Sequence, residues 1–527
     1  MTLPTHVQRH PAAAPLLHDL LADSARRLPE KVALACDGER VTYAELEARS
    51  NALAHAFVRH GVARGDRVVV FSDNTVQAVV SYWAVLKANA VVCMVNSQTR
   101  VEKLALMLAD CSATALVSDQ RHAATFVEAA VRSPHLNVVI VSGALDQQRA
   151  GRLPGFVTWD DALADGPRTG PPARLNLDHD LASIIYSSGT TGEPKAIMLA
   201  HRNMLAASAS IAAYLANAED DVVLSVLPLA LTYGVYQMIV AFRVGARLVL
   251  ERSFAFPAQV LRQMVAEGVT GFAGVPMIYA VLLQTKNLAD YDLSRMRYLT
   301  NAAAALPVPH LLRIRELMPH VRFYPMYGQT ECARISYLPP EDIDRKPSSI
   351  GIPIPNTEFW IIDEHGERAA PNHVGELVVR GAHVMRGYWG KPEATAHRLR
   401  PGPIPGEFVL HTGDLCRMDE EGYLYFVSRM DDIIKSRGEK VSPREVENAI
   451  AEIAGVGEVA VVGVPDDMLG QAVKAYIVAE AGATLTEKQV RLECEKRLES
   501  FMVPKHVVFV PDLPRTSGGK VKKSELK

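Results

Sequence analysis

The sequence predicts an α/β fold: a large N-terminal domain of helix-covered mixed sheets with a small barrel-like β portion, followed by a small α+β C-terminal domain. Three observations predict it. Buried-strand runs alternate with amphipathic helical segments through the first third of the chain, as parallel sheets covered by helices require. After about Gly351 the pattern turns to short strands punctuated by turns, the mark of an antiparallel or barrel-like portion. The last ~100 residues then run through β–α–β units on the scale of a small separate domain.

Taken in order, TYAELEARSNALAHAFVRHG opens with Thr42 and Glu45 at capping-box spacing and closes on Gly61, which predicts a helix. Val68–Phe71 reads as a buried strand, Val76–Leu86 as a helix and Ala90–Val95 as another strand; VEKLALMLADC and ATALVS repeat the pattern. GRLPG and DGPRTGPPARLN mark a surface loop between Gly143 and Asp180. IPIPNTEFWIIDEHGE, GELVVRG and GYLYFV supply the short strands. MDDIIKSRGEK forms a joint, and SPREVENAIAEIAGV, EVAVVGVPD, AVKAYIVAE and EKQVRLECEKRLES read as helix, strand, strand and helix.

Composition sets bounds on function. A chain of 527 residues, 48% hydrophobic and 22% charged, is expected to form at least two or three compact units. A formal charge of -3 gives no electrostatic footprint for nucleic acid or an anionic membrane. Six scattered cysteines without a CxxC pair argue against a disulfide scaffold or zinc site and fit a reducing compartment. The N-terminal segment lacks signal-peptide character. No apolar run reaches the ~18 residues of a spanning helix. The expectation is a cytoplasmic protein without membrane insertion.

The stretch YSSGTTGEPKAIMLAHRN (Tyr186–Asn203) concentrates hydroxyls and glycines ahead of one lysine. Glycines let backbone approach a ligand, and hydroxyls and N–H groups can ring a polyphosphate with a cation as counter-charge. Gly189, Gly192 and Lys195 follow Gly-x-x-Gly-x-x-Lys, which excludes the Walker A spacing. A flexible surface turn is the other reading of SSGTTG. Against it, Pro194 stiffens the exit and Lys195 directly precedes the apolar AIML.

With YGQTE (Tyr327–Glu331), HTGDL (His411–Leu415), SRMDDIIKSRGEKVSPREVE (Ser428–Glu447) and PRTSGGKVKKSEL (Pro514–Leu526), that stretch forms an ordered set. It resembles the adenylate-forming superfamily, in particular its AMP-forming acyl- and aryl-CoA synthetases, over nearly the whole chain. The resemblance implies that a carboxylic acid is converted to acyl-AMP with release of pyrophosphate and then passed to a thiol. ATP, Mg²⁺ and coenzyme A are the implied cofactors and co-substrates. The implied domains are 1–429 for adenylation, a hinge at 430–432 and a mobile C-terminal domain over 433–527 that carries the catalytic lysine.

By the same resemblance, Ser187, Ser188, Gly189, Thr190, Thr191, Gly192 and Lys195 surround the phosphates, and Glu331 with Thr190 holds Mg²⁺. Tyr327 stacks on adenine beside Gly328 and Ala303, Thr330 touches the α-phosphate, and Asp414 and Arg429 hold the ribose. Lys520 reaches between the acid and the α-phosphate; with Lys195, Thr330 and Glu331 it makes up the catalytic set. Asp431 is the hinge, and Arg437, Gly438, Glu439 and Lys440 line the thiol channel. Read alone, Glu331 is a helix-start carboxylate, Asp414 a turn aspartate, Arg429 a surface arginine and Lys520 a tail lysine.

Three departures from the family pattern bear on the acid. Ala196 replaces a glycine, NAAAAL (Asn301–Leu306) replaces a Gly-Gly-Ala run, and Ala230 and Leu231 stand where an aromatic–His pair is usual. Thr232 occupies the place of the aspartate that holds an amino acid's ammonium, which disfavours an α-amino acid. The pocket residues Leu231, Tyr233, Gly234, Val275, Asn301 and Ala302 are mainly apolar, so a fatty or aromatic acid is expected. Tyr233 and Asn301 leave room for hydrogen bonds to a polar one. A carrier-protein phosphopantetheine thiol is the alternative acceptor, a non-catalytic nucleotide-binding scaffold the alternative of another class, and homodimer formation is left open.

Overall fold

Two large mixed sheets, parallel through their centres, form the first three-fifths of the fold. The computed structural model describes residues 15–164, 166, 169–188, 194–436, 439–466, 468–480, 482–516 and 519–526. In the first sheet Val32–Cys36, Arg247–Leu250, Val222–Ser225, Gly271–Gly274, Tyr298–Asn301 and Arg322–Tyr327 are neighbours in that order, all parallel. In the second, Leu181–Ser188, Val91–Asn96, Arg67–Ser72, Ala115–Asp119, Val138–Ser142 and Phe156–Thr158 are parallel neighbours. Antiparallel strands close both edges of the first sheet and one edge of the second, where Pro194–Ala200 and then Gly387–Tyr388 follow Leu181–Ser188.

One apolar core joins the two sheets. Leu34, Leu248 and Phe272 of the first and Val68, Val70 and Val92 of the second belong to the same cluster as Trp83, Tyr236 and Phe242. The helix Val76–Lys87 is buried along its whole length except at Gln77, which explains why its sequence is apolar all round. The capping box is present: Glu45 N–H donates to Thr42 Oγ1 at 3.2 Å, and Thr42 N–H donates to Glu45 Oε2 at 2.8 Å. The helix it starts runs Tyr43–Arg59.

The segment from Gly143 to Asp180 is more than a loop. Phe156–Thr158 adds an edge strand to the second sheet, and Trp159–Ala164 is a helix whose Trp159 is buried. Thr158 Oγ1 accepts from Asp161 N–H at 3.2 Å, a cap hidden among turn signals on either side.

The third sheet is antiparallel and centred on the long strand Phe408–Met418. That strand pairs with Gly375–Gly381 on one side, and with Leu399–Pro401 and Leu424–Arg429 on the other. One 3-10 turn, Met430–Asp432, leads from Arg429 into the fourth sheet. There Val456–Asp466 and Gly470–Ala479 form the central pair, covered by helices Pro443–Ala451 and Glu487–Glu495 around Val446, Ile450, Val461, Ile477 and Val490. Both helices stop short of the apolar periodicity that predicted them. The first gives way to a turn before Gly455, whose φ of 90° a helix cannot hold. All six cysteines are buried and unpaired by disulfides. Among the described residues no helix is long and apolar enough to cross a membrane.

Candidate active site

The described ends of the hydroxyl-rich stretch lie on the paired antiparallel strands Leu181–Ser188 and Pro194–Ala200. Ser187 pairs with Lys195 and Ser188 with Pro194, so the two strands deliver both ends of the intervening loop to one place. Gly189, Thr190, Thr191 and Gly192 lie outside the described residues, as do Arg437 and Gly438. The Lys195 ammonium rests 5.4 Å from the centre of the Tyr388 ring, contributed by the adjoining edge strand.

Tyr388 was not foreseen, and neither was Arg398. The Tyr388 hydroxyl donates to Glu331 Oε1 at 2.8 Å, and Met385 N–H donates to the Glu331 carbonyl at 2.7 Å. Burial, then the Glu331 charge, pushes the phenol up, so it remains a donor at neutral pH. Arg398 donates to the His411 carbonyl at 3.2 Å and lies against Gly413, where a methyl group would come within 2.2 Å of its Nη1. The glycine of HTGDL is favoured by its φ of 65°, while the guanidinium fills the space beside it.

Asp414 is the buried anchor of the opposite wall. Its Oδ2 accepts from the Tyr327 hydroxyl and, at 2.7 Å, from Gln329 Nε2. Its Oδ1 has no hydrogen-bond partner and lies 3.4 Å from Arg429 Nε. Burial pushes this carboxyl up, against the pull of Arg429, Tyr327 and Gln329. One oxygen is saturated and the other is left for an incoming hydroxyl, so Asp414 is more than a turn residue. Gln329 of YGQTE is a second partner that was not foreseen.

Lys520 enters from the C-terminal domain. The turn that carries it is closed by Thr516 N–H donating to the Lys520 carbonyl at 2.7 Å and Gly519 N–H to the Thr516 carbonyl at 2.9 Å. Arg515 anchors the turn to Glu458. A methyl built on Gly519 would sit 3.6 Å from Val275 Cγ2, so the turn reaches a residue predicted to line the acid pocket. Water reaches the Lys520 side chain, yet protein surrounds it in the cleft. That enclosure, then the Arg429 charge, draws its ammonium below the ordinary lysine range, while Asp414 and Glu331 oppose the shift. One cation from the C-terminal part therefore lies in the field of three predicted site residues from the N-terminal part.

The acid pocket departs from expectation. Tyr233, on the helix Thr232–Val244, spends its hydroxyl on Thr300, 2.9 Å from the carbonyl and 2.6 Å from Oγ1. It is not free for a substrate. Gly234 is required, because a methyl there would come within 2.2 Å of the Pro228 carbonyl oxygen. Asn301 donates to the Ala304 carbonyl at 2.9 Å and leaves its buried Oδ1 without a partner. Leu231 caps the helix start, Ala302 is buried, and Ala303 adopts a φ of 73° at an exposed position where glycine would be unstrained. Thr330 is half-buried between Gln329 and Glu331, and Glu439 is exposed on its strand. The side chains of Ser188, Asp431 and Lys440 are not described.

Family models match 21–389 as AMP-binding enzyme and 445–520 as AMP-binding enzyme C-terminal domain. The chain belongs to the AMP-binding enzyme family. Within that family it is 32% identical to a long-chain-fatty-acid–CoA ligase of Bacillus subtilis (strain 168), over 97% of this chain and 94% of the relative. It is 34% identical to a feruloyl-CoA synthase of an Amycolatopsis species, over 95% of this chain and 96% of the relative. The solved structure of an anthranilate CoA ligase with anthranoyl-AMP superposes with a TM-score of 0.86 at 27% identity, covering 97% of this chain and 96% of that one. The match to both family models spans the two parts that Lys520 bridges.

Proposed function

We propose that these side chains divide an acyl-CoA ligase reaction between them. The activity is ATP-dependent conversion of a carboxylic acid with an apolar, fatty or aromatic body to acyl-AMP, then transfer to the thiol of coenzyme A. A carboxylate oxygen attacks the α-phosphorus, the bond to the bridging oxygen breaks and pyrophosphate leaves. Two anions must meet, so neutralising charge is the main task. Lys520 places a compact ammonium between acid and α-phosphate, and Lys195 faces the outer phosphates. Asp414 Oδ1 accepts a ribose hydroxyl while Arg429 opposes the upward push of burial on that carboxyl. Tyr327, Gly328 and Ala303 border the adenine, and Thr330 lies beside the α-phosphate.

Glu331 fits Mg²⁺: its carboxylate has capacity beyond the oxygen that Tyr388 serves. Among the described residues no cluster of three His, Cys, Asp or Glu forms a protein cage. Such an ion would be shared with substrate phosphates and with Thr190, and would supply charge neutralisation there.

In the second half-reaction a thiolate attacks the acyl carbon and AMP departs. Thiol and Lys520 need the same approach, so the C-terminal domain, 433–527, turns on the 430–432 hinge at Asp431 away from the adenylation domain, 1–429. The channel of Arg437, Gly438, Glu439 and Lys440 then replaces the lysine. A cytoplasmic, homodimeric enzyme is compatible with this reading.

The observation that carries the proposal is that Lys520, on a turn whose Gly519 abuts Val275, lies in the field of Arg429, Asp414 and Glu331. It is tested by acid-dependent pyrophosphate release over a panel of carboxylic acids, with CoA, with a phosphopantetheinyl carrier protein, and with neither. Release that no acid stimulates would restore the non-catalytic scaffold; thioester formation on the carrier alone would reassign the acceptor.

A further inference from the structure

Three residues beyond Glu331 the chain buries an arginine. Arg334 is 5% exposed, and its guanidinium lies 4.7 Å from the centre of the Tyr233 ring. Nη1 donates to the neighbouring Ala333 carbonyl at 3.2 Å, and among the described residues Nε has no partner. Arg334 takes part in no ion pair among the described residues.

A buried guanidinium cannot shed its proton, so it carries its full desolvation cost unless something anionic pairs with it. The side chains around it do not supply the charge. Tyr214 shares a hydrogen bond with Arg334, but burial pushes its hydroxyl up to about 12 despite the cation. Burial likewise pushes Tyr233 and Tyr236 upward. Three neutral phenols border one permanent cation.

Its placement puts this cation at the acid pocket. Tyr233, on which it stacks, is tied to Thr300, next to Asn301 and Ala302. Its backbone packs on the nucleotide loop, where a methyl on Gly328 would lie 2.8 Å from Arg334 Cα. Ala333, immediately before it, is held at a φ of 59°, a strained conformation for alanine that turns the chain inward at this point. Two further residues of this stretch carry buried polar atoms without partners: Thr232 Oγ1, next to Tyr233 in the chain, and Asn301 Oδ1, next to Thr300.

We propose that Arg334 determines acid specificity, its Nε edge receiving a second carboxylate at the end of the acid remote from the one activated. A carboxylate matches the planar donor fork in a way that no methyl or ring edge does. The preferred substrate class is then dicarboxylic acids with an apolar alkyl or aromatic body, rather than wholly apolar acids. The proposal rests on the acid-activating function above.

The test uses matched pairs: alkanedioic against alkanoic acids of equal length, and terephthalic against 4-methylbenzoic acid. Pyrophosphate release and thermal stabilisation without ATP are measured on wild type, Arg334→Met and Arg334→Lys. Wild type should favour at least one diacid over its partner by roughly 100-fold in kcat/KM, the order expected for a buried charge pair. Arg334→Met should abolish that preference, Arg334→Lys should retain part of it, and the KM for ATP should change little. Without acid, Arg334→Met should melt at the wild-type temperature or above it, since an unpaired charge has gone. Monoacid preference in wild type, or an Arg334→Met variant that melts lower and loses all acids equally, overturns the proposal in favour of a structural cation–π contact. If no acid releases pyrophosphate, the ligase reading fails, and the thermal arm still decides: stabilisation by diacids that Arg334→Met abolishes upholds the site, and equal shifts reject it.

Discussion

Tyr388 holds Glu331 by a 2.8 Å hydrogen bond from its hydroxyl, while the Lys195 ammonium sits 5.4 Å from the centre of its ring. One phenol therefore orients the carboxylate assigned to the metal and seats the cation assigned to the phosphates. Tyr388→Phe keeps the ring and removes the donor. Such outer-shell losses typically cost about 10- to 100-fold in metal affinity or activity. The variant should need more Mg²⁺ for half-maximal pyrophosphate release, with acid KM little changed. An unaltered Mg²⁺ dependence would separate Tyr388 from Glu331's function.

Lys520 separates the two half-reactions. Lys520→Met should abolish acid-dependent pyrophosphate release yet leave thioester formation from supplied acyl-AMP largely intact. The pH dependence has a definite sign. Because the ammonium is drawn below its ordinary 10.5, adenylation should decline on an alkaline limb below that value, as the charge is lost. Thioester formation from acyl-AMP should show no such limb. The same alkaline limb in both reactions would remove Lys520 from its assigned place.

Much of this was legible in the sequence where chemistry is local. The Thr42–Glu45 box and the alternation from Val68 to Ser118 each occupy a short continuous stretch, and their elements appear as expected; the ordered motifs are equally local. The contributions of Tyr388 and Arg398 were hidden because each acts through residues distant in sequence: Tyr388 on Glu331, Arg398 on Gly413. Tyr233 looked like a free hydroxyl until folding placed Thr300 against it. Arg334 followed a recognised motif but carried no signal of burial, since arginine in a polar stretch ordinarily stays solvated.

Gly328 ties the nucleotide loop to Arg334. A methyl there would come within 2.6 Å of the Ala333 carbonyl oxygen and 2.8 Å of Arg334 Cα, both backbone atoms that cannot rotate away. Gly328→Ala should destabilise the fold by about 1–3 kcal/mol, the usual cost of overpacking. It should also weaken ATP and acid binding together, because the displaced segment serves both. A stable variant with normal ATP affinity would show that the loop is free to move apart from Arg334.

Lys87 tests the core rather than the site. Its ammonium is buried 2.7 Å from Glu47 Oε2 and donates to Ser50 Oγ at 2.7 Å and Asn51 Oδ1 at 2.9 Å. Burial draws its pKa from 10.5 down to about 8, against the pull of Glu47. Between those values the unfolded chain retains a proton that the folded protein has released, so this group's contribution to stability rises with pH across that window. Below about pH 8 both states are protonated and the penalty is fully present. The stability of wild type relative to Lys87→Met should therefore climb by on the order of 3 kcal/mol from pH 8 to 10.5. Thermal unfolding of both proteins at pH 7.5, 9 and 10 reads the difference, with Lys87→Met cancelling every other titrating group. Parallel melting curves would mean that Glu47 and the two hydrogen-bond acceptors hold the proton on Lys87 as firmly as water does.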